Sequence, residues 1–231
     1  MDNTKDDFKT RKTEIENYFD FLHVIDDEKT LLKYNKDNEM VEEKIPTKLQ
    51  TILIANTFLI LYNLIESTVR NSIVEIYEKI KEDEVSYNDL SDNLKRIWLK
   101  QKAKSLKDNN VGESTIKDSI QDIIKNVVEN EIILLTKDDI DISGNIDARK
   151  IRVLAEEIGF DKSTNEANGQ NLVVIKNKRN GLAHGNYTFY DVGRDYTVND
   201  VNTFKQETFD YLFDVINNIE KFINEKKYHV E

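Results

Sequence analysis

One segment, Thr47 to Glu82, limits the choice of fold more than any other part of the chain. It contains no proline or glycine, and its apolar residues recur at helical spacing. Its first half is apolar nearly all round, which predicts a central, buried helix. The apolar run from Ile52 to Ile65 is interrupted by Asn56 and Asn63, so we expect a core helix rather than a membrane span.

Chain breakers are rare along the whole sequence: the 231 residues include one proline and seven glycines. A β-sandwich or barrel would need many more tight turns, so the sequence predicts an all-α fold. Asp6 to Ile25 form an amphipathic first helix, and Asp26 to Lys44 form a charged loop or a short solvated helix. Capping residues and periodicity predict further helices over about 89 or 91 to 107, 114 or 115 to 128, 147 to 158, 171 to 184 and 197 to 228. Residues 108–112 would separate the first two, Gly159 would end the third, and an irregular aromatic stretch would follow His184. Thr197 and Asp200 form a capping pattern for the last helix, whose apolar residues from Val201 to Phe222 predict a buried stripe.

No linker divides the chain, so residues 1–231 are predicted to form a single domain. Residues 1–45 contribute the first helix and the charged loop, and residues 46–231 contribute the helical core. The amino terminus is charged and has no apolar signal segment, which favours a cytoplasmic protein without a membrane partner.

Composition excludes several kinds of site. The chain has no cysteine and three histidines, and the histidines show no HExxH or similar spacing, so we expect no metal and no cofactor. The net charge of −11 argues against a general nucleic-acid binder, because phosphate neutralisation needs basic surface. A nucleic-acid partner would therefore require a local cationic site.

Such a site is suggested by the segment from Lys176 to Gly185, KNKRNGLAHG, which gathers three cations, two asparagines and a histidine. Arginine holds phosphate with a planar fork of donors, and histidine exchanges a proton near neutral pH. These groups suit RNA cleavage by the 2′-hydroxyl, a reaction that needs no metal-activated water. From the residues alone, the simpler interpretation is that His184 interacts with a helix dipole and Arg179 with a surface carboxylate, with no catalytic role.

Helical geometry separates the two residues of this pair. Arg179 and His184 are five positions apart, which places them about 140° apart on an unbroken helix. Either Gly181 bends the segment, or two chains meet about a two-fold axis and pool their Arg–His pairs.

The RNGLAH segment resembles the signature of the HEPN superfamily, in which a polar residue follows an arginine and a histidine lies four to six positions after that arginine. The stretches LYNLIESTVRNSI, SGNIDARKIRVLAEEIGF and LVVIKNKRNGLAHGNYTFYDVGRDYTVNDV are similar to a free-standing branch found near restriction and toxin–antitoxin genes. The likeness covers most of residues 47–228. It implies a HEPN-like helical bundle with additional helices that forms a two-fold symmetric dimer.

The resemblance also implies roles for individual residues. Arg179 would bind the scissile phosphate, His184 would transfer protons, and Asn180 would orient His184 or the substrate. Glu66 would be an acidic member of the site, although an ion pair with Arg70, its i+4 neighbour, is an equal alternative.

Other candidates are weaker, and each has a plain structural alternative. Lys176 and Lys178 could steer RNA but are more simply a solvated charged face, and Tyr187 could stack on a base or pack on the protein. Asn145, Asp147, Arg149 and Arg152 could shape a pocket, but capping and solvating their helix is the favoured interpretation. We find no role for His23 or His229.

The function implied is a metal-independent RNA endonuclease, a toxin or antiphage defence effector with an antitoxin or regulatory partner. The alternatives are a non-catalytic module that binds RNA, a nucleotide or a protein, and a purely structural helical dimer.

Overall fold

The computed structural model describes residues 1–107, 113–136, 144–164 and 167–230. Within them the chain forms eight α-helices and one β-hairpin, which confirms the predicted all-α fold apart from the hairpin. The elements in chain order are α1 (Asp2–Asp26), β1 (Leu31–Lys36), β2 (Glu39–Lys44), α2 (Thr47–Glu82), α3 (Asp92–Lys107), α4 (Glu113–Val128), α5 (Ala148–Ile158), α6 (Leu172–Ala183), α7 (Phe189–Gly193) and α8 (Val198–Asn224).

Helix α2 is the centre of the molecule, as its sequence predicts, and it has the predicted bounds. Helices α1, α6, α7 and α8 all pack against it, so its apolar residues are covered on several sides. Phe58, Leu61 and Ile65 are fully buried there. By length and composition α2 is the one helix of the described segments that could cross a membrane, but 56% of its most apolar stretch is already buried within the protein.

The prediction of a loop or short helix over Asp26 to Lys44 is wrong. Strands β1 and β2 pair antiparallel around Asp37 and Asn38, whose φ values of 51° and 69° suit a two-residue hairpin turn. Almost every residue of both strands is exposed. Since neither face of the hairpin is buried, the sequence lacks the alternation of apolar and polar residues that normally reveals a strand.

Several helix ends follow the predicted capping residues. The Asp147 side chain accepts from the Lys150 N–H at the start of α5, and Gly159 ends that helix with a φ of 103°. Thr197 and Asp200 form the predicted capping box of α8.

Other ends differ from prediction. Helix α4 already begins at Glu113, so both predicted cap positions, Ser114 and Thr115, lie inside it. The predicted break at 108–112 falls outside the described residues. The aromatic stretch after His184 is not wholly irregular, because Thr188 caps the short α7. Helix α8 ends at Asn224, near Lys226, which adopts a φ of 50°.

Candidate active site

Helix α6 carries the RNGLAH segment and is anchored by its apolar residues. Leu172 and Ile175 are fully buried, and α6 packs against α2. Arg179 and Asn180, near the other end of the helix, remain partly exposed beside α2. The packing of α6 thus brings the predicted arginine close to the central helix.

Three groups hold the guanidinium of Arg179. It lies 4.3 Å from the centre of the Tyr62 ring, and its Nη1 donates to Asn180 Oδ1 at 2.9 Å. Its Nη2 lies 3.6 Å from Glu66 Oε2. The Arg179 side chain nevertheless keeps 27% of its surface exposed. The arginine is therefore fixed in orientation while still open to a ligand.

Tyr62 is the buried platform of this arrangement, and sequence reasoning did not identify it. It is 1% exposed, and its hydroxyl accepts from the Ile146 N–H at 3.1 Å. Burial raises the pKa of Tyr62, so the phenol stays neutral. The sequence feature that could have pointed to Tyr62 is its position on α2, one helical turn before Glu66.

Glu66 lies between two arginines. Its Oε1 is 3.3 Å from Arg70 Nη2, so the ion pair offered as the structural alternative is present. Its Oε2 faces Arg179, so the residue also lies beside the predicted phosphate ligand. The structure brings Glu66 and Arg179 together, and a catalytic role for Glu66 stays a prediction.

His184 lies at the end of α6, with an exposed side chain. The backbone N–H of His184 donates to the Asn180 carbonyl at 3.0 Å, and α6 remains helical through Gly181 to Ala183. The alternative in which Gly181 bends the segment is therefore wrong. In the described part of the chain, no hydrogen bond or ion pair joins His184 to Arg179, and the two-chain alternative stays a prediction.

Gly181 has a different role, which is to allow a close approach. A Cβ at this position would lie 2.3 Å from Cδ2 of the Tyr187 ring, so only glycine permits the ring to rest on α6 here. The Asn186 N–H donates to the Gly181 carbonyl at 2.8 Å and turns the chain back over the helix. Tyr187 packs on the protein in this way and yet stays 55% exposed.

The two predicted steering lysines both have acidic partners. Lys176 lies 2.5 Å from Asp147 Oδ2, and both side chains are largely buried. Burial would raise the pKa of Asp147, but the bonds from Lys176 and the Lys150 N–H outweigh it and hold that pKa below its usual range. Lys178 lies 3.5 Å from Asp195. These pairs agree better with a structural role than with RNA steering.

Of the four residues predicted to cap α5 or to shape a pocket, Asp147 is its N-cap, as favoured. Asn145 lies at the site: Asn180 Nδ2 donates to its Oδ1 at 3.5 Å. Among the residues that the structure describes, no group of three or more His, Asp or Glu side chains could hold a metal ion.

The comparisons with known proteins identify the family. No curated protein and no solved structure matches the chain. A family model described as HEPN_MAE_28990-like HEPN matches residues 1–228. The match thus includes α1 and the hairpin, which lie outside the range of 47–228 over which the sequence resemblance was inferred. The resemblance inferred from RNGLAH is confirmed: this chain belongs to the HEPN_MAE_28990-like HEPN family.

Proposed function

We propose that this protein is a metal-independent RNA endonuclease with a site made from the Arg179 and His184 side chains of two chains. Family membership supports a nuclease or RNA-binding module in general terms. The observation that carries the proposal is the placement of Arg179, which is oriented by Tyr62, Glu66 and Asn180 but remains open to solvent. A guanidinium held in this way is preorganised to bind a phosphate that gains charge during reaction.

Local charge favours the same function in spite of the acidic total. Glu66 contacts both Arg70 and Arg179, so the three side chains together keep one positive charge. The remainder of the surface is acidic, with a net charge of −11 for the whole chain. Bulk RNA is repelled by such a surface, and a strand that reaches the arginines is held locally.

The reaction follows from the chemistry of these side chains. One copy of His184 takes the proton of the 2′-hydroxyl, whose oxygen attacks the adjacent phosphorus. Arg179 stabilises the charge on the phosphorane oxygens, and the second copy of His184 protonates the departing 5′ oxygen. The products are a 2′,3′-cyclic phosphate and a 5′-hydroxyl, with no net change in protons. The nucleophile belongs to the substrate.

A nuclease of this kind is harmful to its own cell if it is unrestrained. We therefore propose a role as a toxin or antiphage defence effector in the cytoplasm, with an antitoxin or another regulatory protein as partner. The acidic surface would contribute to restraint, since it keeps general RNA affinity low. Cleavage should accordingly fall steeply as salt rises.

One observation favours a second candidate, a non-catalytic module that binds RNA, a nucleotide or a protein. In the described residues of a single chain, no hydrogen bond or ion pair joins His184 to Arg179, and Arg179 already has a carboxylate partner. If two chains do not complete the site, binding without cleavage is the function that these side chains support.

The test is cleavage of a labelled mixed RNA in EDTA by the wild type and by His184→Ala. We expect the wild type to cut and His184→Ala to lose at least a hundredfold in rate, since general acid–base catalysis contributes about 10²- to 10⁴-fold. A matched substrate with 2′-deoxyribose at the cut site should stay intact. His23→Ala is the control, because His23 is an exposed histidine in the last turn of α1.

Two results would overturn the proposal. Cutting of the 2′-deoxy substrate would exclude attack by the 2′-hydroxyl. If the wild type is a folded dimer and cuts no RNA, the binding module becomes the better conclusion.

A further inference from the structure

We propose that Arg70 is a second phosphate-binding residue, which contacts a phosphate of the RNA strand next to the one held by Arg179. This inference rests on the proposed ribonuclease function and adds a subsite to it. Sequence reasoning considered Arg70 only as an ion-pair partner of Glu66.

The two arginines are neighbours because they share one carboxylate. Arg70 Nη2 lies 3.3 Å from Glu66 Oε1, and Arg179 Nη2 lies 3.6 Å from Glu66 Oε2. Glu66 neutralises one of the two positive charges and spaces the two guanidinium groups on either side of its carboxylate. Their mutual repulsion is offset, and a single positive charge remains for a ligand.

Arg70 has both the exposure and the donors that a phosphate requires. Its side chain is 49% exposed, compared with 27% for Arg179. A guanidinium carries five N–H donors, and one hydrogen bond to Glu66 leaves most of them open. Since a strand carries one phosphate per nucleotide, a strand bound at Arg179 presents further phosphates to nearby long side chains.

The lysines closest in sequence to Arg179 do not offer this combination. Lys176 is 17% exposed and pairs with Asp147, and Lys178 is 26% exposed and lies near Asp195. Each of them forms a pair of zero net charge, whereas Glu66 is shared by two cations. The geometry therefore favours Arg70 over both lysines as the additional phosphate ligand.

A purely structural role for Arg70 predicts a different outcome from an RNA-binding role. Exposed i,i+4 ion pairs contribute little to stability, so neither role predicts a large change in Tm on substitution. A phosphate contact, by contrast, adds about one unit to the slope of log affinity against log salt concentration.

The experiment measures kcat and KM for a labelled single-stranded RNA in EDTA with the wild type, Arg70→Ala and Arg70→Lys. We expect Arg70→Ala to raise KM about tenfold with a much smaller change in kcat, and Arg70→Lys to lie between the two. In parallel, RNA binding is followed by fluorescence anisotropy over a range of salt in the His184→Ala background. There the loss of Arg70 should lower the salt slope by about one.

Arg96→Ala is the matched control, because it removes the same charge from an exposed position on α3. It should leave KM and the salt slope unchanged. If Arg70→Ala equals the wild type in KM and slope while His184→Ala is inactive, Arg70 is no subsite but the ribonuclease proposal stands. If the wild type does not cut RNA, the anisotropy arm alone decides: an unchanged slope, or no binding at all, overturns the inference.

Discussion

The choice of arginine at position 179 follows from the geometry of its three neighbours. A planar guanidinium can lie flat on the Tyr62 ring at 4.3 Å and still donate sideways to Asn180 and Glu66. An ammonium group is a compact point charge and cannot make the stacked and lateral contacts together. The site is thus built for the shape of arginine as well as for its charge.

Gly181 offers a test of the position of Tyr187. An added Cβ would lie 2.3 Å from a ring carbon of Tyr187, so Gly181→Ala must displace the ring. The ring is 55% exposed and can move outward, and alanine favours a helix over glycine by about 1 kcal/mol. We expect the free energy of unfolding to change by less than about 1 kcal/mol. On the hypothesis that Tyr187 stacks on an RNA base, cleavage should fall about tenfold. Urea unfolding and cleavage rates measure both.

Tyr187→Ala is the companion variant, and it should lose the same activity. Gly181→Ala displaces the Tyr187 ring and Tyr187→Ala removes it, so both changes abolish the same contact. The double variant should therefore cleave no more slowly than either single variant. Wild-type cleavage by Gly181→Ala would show that the seating of Tyr187 on α6 is irrelevant to substrate binding.

The members of the candidate site differ in how far the sequence could reveal them. Arg179, Asn180 and His184 stand in one short motif, and Glu66 stood out as a carboxylate in an apolar helix. Tyr62 looks like a core residue in the sequence, and it is buried. Its contact with Arg179 depends on how α6 lies on α2, which is tertiary information that no local pattern contains.

At the scale of elements, helices with one buried face were predictable and elements without one were not. Helix α8 has a long buried stripe, and both its capping box and that stripe were predicted. The β1–β2 hairpin is held by its own ladder and by exposed cross-strand contacts such as Lys33–Glu42. In α4, Ile116, Ile120 and Ile124 are exposed although their spacing suits a buried stripe. Periodicity shows that a helix is amphipathic, but not what covers it.

The end of α2 is joined to the end of the described chain through Asp83, and this connection should depend on pH. Asp83 Oδ2 accepts from the Tyr228 hydroxyl at 2.6 Å and lies 2.9 Å from Lys226 Nζ. These bonds, together with Lys79, hold the pKa of Asp83 well below its usual range. A lowered folded-state pKa stabilises the fold above the unfolded pKa of about 4, and this stability is lost as the pH falls below it.

We expect Asp83→Asn to lower the free energy of unfolding by about 2 kcal/mol at pH 7, since charge-assisted hydrogen bonds contribute about 1.5 to 3 kcal/mol. The difference from the wild type should shrink as the pH is lowered from about 4 to about 2. Urea unfolding over this range measures it. Asp92→Asn, at a side chain that is 82% exposed, should show no such trend. A difference that stays constant with pH would mean that the charge of Asp83 is not what stabilises the junction.

At the scale of the whole molecule, charge and symmetry both bear on whether one chain can form the site alone. The chain carries a net charge of −11, and one Arg70–Glu66–Arg179 cluster keeps a single positive charge. A single positive charge neutralises little of the charge on an RNA strand, which carries one phosphate per nucleotide. Two copies related by a two-fold axis would double it and would supply two histidines to one phosphate. Since α6 is unbroken between Arg179 and His184, a second chain is also the simpler way to combine the two residues.

A shared site can be tested with mixed dimers of the wild type and His184→Ala. Each mixed dimer has one His184, so a shared site lacks either the base or the acid of the proposed reaction, and we expect cleavage in EDTA to fall at least a hundredfold. In a site confined to one chain, the wild-type chain would still cut, since it retains an intact site. Co-expression with two different affinity tags isolates the mixed dimers, and the separately purified proteins are the controls. Verified mixed dimers that keep a large part of the wild-type rate would contradict the shared site and would return the search to contacts within one chain.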